Sequence, residues 1–261
     1  MTAAVDPWQK LLASWDDQQT GYLPRREERF AMMTRTIGEV IGDSFAALDL
    51  GCGPGSLSQR ILAAHPAATA IAVDADPLLM ELGRHALSDY ADRLRWVDAD
   101  LRDPRWHESL GVDSVDVVVS TTALHWLEPG VLFAVYRRVA QLLRPGGILL
   151  NGDNMPYDPG QATHERLAEA ANDRAAREAF TVAGVPDWER WWAEASGNDL
   201  LASAARERTA RRELADQVYG TRDGDRLTSL ATHVTALTEA GFREIGTIWQ
   251  NLDDRVLLAV R

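Results

Sequence analysis

The sequence predicts an α/β fold, a doubly wound and mostly parallel sheet covered by helices, and three observations predict it. A glycine-rich turn, Gly51-Cys52-Gly53-Pro54-Gly55, follows the apolar run at 47–50 and opens a helical segment at 56–62. Short apolar or β-branched runs recur at 70–74, 94–97, 115–120 and 148–151, with helical patterns between most of them, the rhythm of β-α-β units. Near the end of the chain, runs at 241–249 and 255–260 are joined by the polar turn 251–254 alone. So short a loop forces those two strands to be antiparallel.

Taken in order, Trp8, Leu11, Leu12 and Trp15 stand at helical spacing before a break at Thr20-Gly21-Tyr22-Leu23-Pro24. A second helix is expected over 25–41, with Phe30, Met33, Ile37 and Val40 or Ile41 on one face. This pair either packs on the core or closes over a ligand as a lid. Ser56 reads as the N-cap of the helix after the glycine turn. The strand at 70–74 ends in Asp74, and Ala75-Asp76-Pro77 opens a helix through Leu87 with proline in its first turn. The third strand leads into Asp98-Ala99-Asp100-Leu101. The fourth, Val115-Asp116-Val117-Val118-Val119-Ser120, has the β-branched character of a strand covered on both faces. After it come Thr121-Thr122-Ala123-Leu124-His125-Trp126-Leu127, a helix over 129–143, and a turn at Arg144-Pro145-Gly146-Gly147 into the fifth strand. Residues 153–224 break the rhythm, with helical segments at 167–180 and 200–218 around Trp188, Trp191 and Trp192; a helix over 227–240 resumes it.

The 261 residues suffice for one large α/β domain with an insertion or for two small domains. No apolar run approaches the ~18 residues of a membrane span, and the N-terminus lacks the basic flank and apolar core of a secretion signal. Cys52 is the single cysteine, which excludes an internal disulfide and fits a reducing, cytoplasmic setting. In the glycine turn it reads as a small buried thiol, not a nucleophile. The net charge of −12 argues against broad attachment to nucleic acid. No internal repeat is found, and no metal site is expected.

The turn reads G-x-G-x-G with an acid two residues ahead, whereas a dinucleotide fingerprint reads G-x-G-x-x-G. In that form it resembles motif I of the class I S-adenosylmethionine-dependent methyltransferases of small-molecule type. The post-strand-four segment and the Leu143-Arg144-Pro145-Gly146-Gly147 turn are similar to that family as well. The resemblance covers roughly 46–152 and 225–261. It implies a seven-stranded Rossmann-like methyltransferase fold whose C-terminal hairpin adds an antiparallel strand. The chain is then expected to divide into an N-terminal helical lid (1–45), a cofactor-binding core (46–152), a helical cap for substrate (153–224) and the end of the core sheet (225–261).

The implied cofactor is S-adenosyl-L-methionine, with methyl transfer to O, N or C of a small molecule. The resemblance places it on Gly51, Cys52, Gly53 and Gly55. Asp49 lies near its ammonium, Asp74 and Ala75 at the ribose, Asp100 and Leu101 at the adenine, with Asp98 the competing acid. Ser120, Thr121 and His125 line the methyl end. Tyr22, helped by Arg25 or Arg26, is expected at the methionyl carboxylate, since an enclosed anion needs donors.

His125 is the first candidate general base, the alternative being that it packs the segment with Trp126; His233, His164, Asp153 and Tyr157 come next. Trp188 and Trp192, four apart, either wall the acceptor pocket with Tyr157 or form the core of the cap. Arg190, Arg206, Arg211 and Arg212 are the candidates for gripping a substrate carboxylate.

Other classes stand beside this one. Gly21-Tyr22, Thr232-His233 and Ala240-Gly241-Phe242 resemble the carboxy-S-adenosylmethionine synthases. A nicotinamide-dependent dehydrogenase and a non-catalytic binding module are more distant. The expected partner is a small molecule, with a homodimer as the assembly and neither nucleic acid nor membrane involved.

Overall fold

A computed structural model describes residues 6–158, 160–219 and 228–261. The expected helix start at Leu227 and the expected domain boundary at 224/225 lie outside the described residues.

Helix α1 (Pro7–Tyr22) starts where the sequence offers a carboxylate and a proline together. Asp6 accepts from the Trp8 N–H at 3.3 Å, and Pro7 occupies the first turn, where no N–H is needed. The helix ends at Tyr22, inside the expected break, and helical structure resumes only at Arg26. Gly21 is there for close packing: a Cβ on it would come within 2.4 Å of the Phe180 ring. Helix α2 (Arg26–Val40) follows, burying Phe30, Met33 and Ile37 as its periodicity predicts, while Val40 at its last position is 51% exposed and the half-buried Ile41 continues the face.

The sheet contains β1 (Ala46–Leu50), β2 (Thr69–Asp74), β3 (Leu94–Asp98), β4 (Val115–Thr121), β5 (Leu143–Asn154), β6 (Glu244–Asn251) and β7 (Asp254–Val260). Its order is β3-β2-β1-β4-β5-β7-β6, parallel throughout except for β7, which runs antiparallel between β5 and β6. The expected fold class is therefore observed. Helices α3 (Ser56–Ala64) and α4 (Pro77–Ala86) join α1 and α2 on one face, while α5 (Pro129–Leu142) and α9 (Leu230–Glu239) cover the other. Along β1, Ala47 packs into the first layer and Leu48 and Leu50 into the second, so this strand is apolar on both sides. Strand order reverses between β1 and β4, and a crevice at the carboxyl ends of the strands follows from that topology.

Two local expectations are corrected. Ser56 is not the cap of α3: Gly55 holds that position at φ 81°, and the Ser56 hydroxyl donates instead to Asp16 at 2.7 Å. The Pro-Gly-Gly turn does not precede β5 but lies within it. The strand pairs first at Leu143 with Val115, bulges with Gly146 at φ 81°, and resumes at Ile148 with Val117.

Between β5 and α9 the chain builds the cap: α6 (Ala162–Ala176), a π-helical turn (Arg177–Val182), α7 (Trp188–Ser196) and α8 (Ala202–Tyr219). Its anchor is Trp191, only 2% exposed and edge-on to Trp15 of α1 at 4.8 Å between ring centroids. Among the described residues no helix is long and apolar enough to cross a membrane.

Candidate active site

The glycine turn hangs from β1 and β2. Gly51 and Cys52 donate to the Val73 carbonyl at 2.8 and 3.0 Å, and Gly53 donates to Asp74 Oδ2 at 2.8 Å. Gly51, Gly53 and Gly55 all take positive φ, at 65°, 55° and 81°, a region L side chains avoid. At Gly51 a Cβ would also strike the Ala123 Cβ at 2.4 Å, so its absence lets the segment after β4 lie against the turn.

Asp49 sits under the turn, 1% exposed. Ser58 donates to its Oδ2 at 2.7 Å, while Oδ1 has no hydrogen-bond partner among the described residues. Burial pushes its carboxyl up to about 7, and the nearby Asp74 charge adds to that against the Ser58 bond. Asp74, which accepts from Gly53 and from the Asp76 N–H at 2.8 Å, is raised to about 6, chiefly by burial. The Cys52 thiol is pushed well up by burial and by both acids, so it stays protonated.

These shifts predict a pH slope for the cofactor-free protein. A carboxyl whose folded pKa is raised keeps its proton after the unfolded chain has lost it. Stability therefore falls as pH rises from about 4 to about 7, and Asp49 alone contributes up to roughly 4 kcal/mol of that fall. Urea unfolding between pH 5 and 8 reads it. Asp49→Asn is expected to flatten much of the slope, and an unchanged slope would place its origin elsewhere.

Beyond the turn, Thr122 adopts φ 48°, a strained conformation for a β-branched residue, with its N–H donated to the Gly152 carbonyl at 2.9 Å. The chain then turns through Leu124–Trp126 and delivers His125 to Asp153 at the end of β5. Asp153 accepts three times: from the His125 N–H at 3.1 Å, from its ring Nδ1 at 2.5 Å and from the Asn154 N–H at 2.9 Å. Burial alone would raise the Asp153 carboxyl, but the charge and hydrogen bond of His125 outweigh it. Helped by His233 and Arg29, they hold it below the usual carboxylate range. In the neutral form of the imidazole, an ionised Asp153 fixes the proton on Nδ1 and makes Nε2 the acceptor, which has no partner among the described residues.

On the other side of β5, Arg29 of α2 is fully buried beside Gly152. It donates to Asp254 and Thr121, both at 2.7 Å, while its Nε has no partner among the described residues. On α1, Gln18 is also fully buried, with its Nε2 unpartnered, one turn on from Trp15. An unpartnered acceptor under the turn and unpartnered donors around it match a ligand with an ammonium and a carboxylate. The end of the cofactor that carries both fits these residues.

Several expected site residues are placed differently. Tyr22 accepts from the Trp188 N–H at 3.0 Å and stacks against Phe180, so its hydroxyl is turned to the cap. Arg25 is exposed and paired with Glu28, and Arg26 is buried against Asp16. His233 is buried and already engaged: Tyr136 and Thr228 engage its two ring nitrogens at 2.7 and 2.9 Å, and burial lowers it to about 4. The Ser120 hydroxyl donates back to the Leu50 carbonyl at 2.7 Å. Asp100 grips Arg102 at 2.6 Å beside the half-buried Leu101, and Asp98 meets Arg211 of α8.

The remaining expected positions cluster at the rim of the site and in the cap. The Tyr157 ring lies 4.6 Å from the guanidinium of the buried Arg255 and 5.2 Å from the exposed His164. Trp188 is 42% exposed and edge-on to Trp192, whose Nε1 is buried and unpartnered. Arg190 pairs only with Glu194, while Arg206 and Arg212 are exposed. Among the described residues no group of three His, Cys, Asp or Glu side chains is placed to hold a metal ion.

A family model for the methyltransferase domain matches residues 47–147, the span that holds the glycine turn and His125. The fold, the turn and the family match are those of a class I S-adenosylmethionine-dependent methyltransferase. Its relatives include trans-aconitate 2-methyltransferase from Azoarcus sp. (strain BH72), 28% identical over 87% of this chain and 85% of that protein. Carboxy-S-adenosyl-L-methionine synthase from Geobacter metallireducens is 29% identical over 62% of this chain and 70% of that one. An O-methyltransferase family protein from Burkholderia thailandensis shares the fold, with a TM-score of 0.56 and 18% identity over all of this chain and 74% of that one.

Proposed function

We propose that the protein methylates a hydroxyl oxygen of a small acceptor and that His125 removes the proton. The observation that carries this reading is the open Nε2 of an imidazole pinned by Asp153, beside the glycine turn. S-Adenosyl-L-methionine supplies an already activated methyl group, which leaves the chain three tasks: alignment, exclusion of water and removal of the acceptor proton. With the cofactor bound, Nε2 would accept the acceptor's O–H proton as its oxygen displaces the methyl group from sulfur, leaving S-adenosylhomocysteine. Asp153 stabilises the imidazolium that forms.

In this reading Asp49 Oδ1 takes the ammonium of the cofactor. Arg29, through its free Nε, takes the methionyl carboxylate in place of Tyr22 and Arg25. Asp74 serves the ribose with the lone pairs that Gly53 and Asp76 leave unused, and Ala75 and Leu101 flank the adenosine. Asp74→Asn is expected to weaken cofactor binding by about 1–3 kcal/mol with the fold intact. Unchanged affinity in calorimetry would remove Asp74 from the site.

A second reading places the methylated oxygen on a carboxylate. The relative named for trans-aconitate favours it, as does the buried guanidinium of Arg255, whose Nε has no partner among the described residues. Such an acceptor is already ionised and asks no base of His125. Labelled cofactor offered with hydroxylated and carboxylated small molecules separates the two. The mass of the ligand carried by the purified protein distinguishes either from carboxylation of the cofactor itself. The expected homodimer is read by sedimentation, and neither acceptor reading depends on it.

A further inference from the structure

We infer that the cap serves the cofactor as well as the acceptor: α8 closes over the adenosine end of the site, and Arg208 and Arg211 are its latch. The inference rests on the cofactor placement proposed above.

Asp74 and Asp98 are register partners across β2 and β3, and Ala75 and Asp76 follow directly. Asp76 caps α4 by accepting from Leu78 and Leu79. The two arginines reach across these positions. Arg208 Nε donates to Asp76 Oδ2 at 2.5 Å, and its guanidinium lies 3.4 Å over the Trp192 ring. Arg211 grips both Asp98 oxygens, at 2.7 and 2.6 Å, and reaches the Ala75 carbonyl at 3.4 Å. One more contact follows farther along, where the Arg102 guanidinium, itself held by Asp100, lies 4.3 Å from the Tyr219 ring.

What holds α8 down is charge. Over Ala202–Tyr219 only Ala204 is buried, so the helix contributes little apolar contact of its own. Isolated surface ion pairs contribute little either. Here one pair is a two-pronged fork, the other is backed by an aromatic face, and both land within two residues of Asp74 or on its register partner. Arg208 also ties the roof to the tryptophan cluster, because Trp192 contacts Trp15 above the glycine turn. Cofactor exchange therefore requires lifting a helix held by partly exposed charges, and salt weakens that hold.

The test is release of S-adenosylhomocysteine, followed by stopped-flow tryptophan fluorescence, in wild type and in Arg208→Gln/Arg211→Gln. Release is expected about tenfold faster in the double variant. Raising NaCl from about 0.05 to about 0.5 M is expected to speed release from wild type several-fold and from the variant hardly at all. Arg206→Gln/Arg212→Gln, an equal charge change at exposed positions of the same helix, is expected to release at the wild-type rate. If the glutamine variant does not fold, Arg208→Lys/Arg211→Lys keeps the charge without the fork and is expected to fall between. Wild-type release rates in these variants, with no salt dependence, would overturn the latch alone. Wild-type protein that binds no S-adenosylhomocysteine in calorimetry would overturn the cofactor placement with it.

Discussion

His125→Ala is expected to lower kcat by about 10²- to 10⁴-fold on a hydroxyl acceptor, the range a positioned general base contributes. Asp153→Asn is expected to lose a comparable amount, because an amide can hold the imidazole in the wrong tautomer and cannot stabilise its charged form. The two act as a unit: Asp153 Oδ1 lies 2.5 Å from the ring and Oδ2 accepts from the same residue's backbone. The double variant should therefore be little worse than the poorer single one. Single-turnover rates at saturating cofactor give the numbers. A His125→Ala enzyme within a few-fold of wild type would shift the assignment to a carboxylate acceptor, for which no base is needed.

Trp191→Ala is expected to cost about 3–5 kcal/mol of stability, the scale for emptying a fully buried aromatic site. Its ring is where cap and N-terminal helix meet, edge-on to both Trp15 and Trp192. Trp188→Ala removes a ring that is nearly half exposed and is expected to cost well under half as much. Urea denaturation of the two variants compares them directly. Equal losses would mean that the cap has one undivided aromatic core and no tryptophan left over for an acceptor.

This division among the tryptophans shows what a linear reading reaches. Helical spacing put Trp188 and Trp192 on one face, and they do touch, at 5.5 Å. It could not say which tryptophan is buried, since that depends on α1 crossing the cap from more than 170 residues away. The glycine turn is the opposite case. Its conformation is dictated locally, by three residues without Cβ atoms, and it appears where the pattern G-x-G-x-G predicts it. His125 was legible for a related reason, lying a few residues beyond a strand whose β-branched run marks it as central.

The arginines were the least legible. An enclosed methionyl carboxylate needs donors, and Tyr22, Arg25 and Arg26 are the ones the break at 20–24 offers along the chain. Arg29 lies one helical turn beyond Arg25, and only the packing of α2 against β5 and β7 turns it inward, onto Thr121 and Asp254. Along the chain, the cap tryptophans fit either a wall for the acceptor or a core for the cap, and Arg211 fits a grip on a substrate carboxylate. The cap's salt links to Asp76 and Asp98 join residues more than 110 positions apart.

By itself, then, the sequence determined the strand order's local ingredients, the turn that accepts a nucleotide-like ligand, and the class of chemistry. Those features are written in short windows, where backbone freedom, β-branching and loop length act on neighbouring residues. Tertiary structure decided which carboxylate orients His125, which arginine of α2 is turned inward, which tryptophan anchors the cap and which acids the cap covers. Each of those choices depends on side chains from distant segments competing for one buried partner, and burial is a property of the assembled layers.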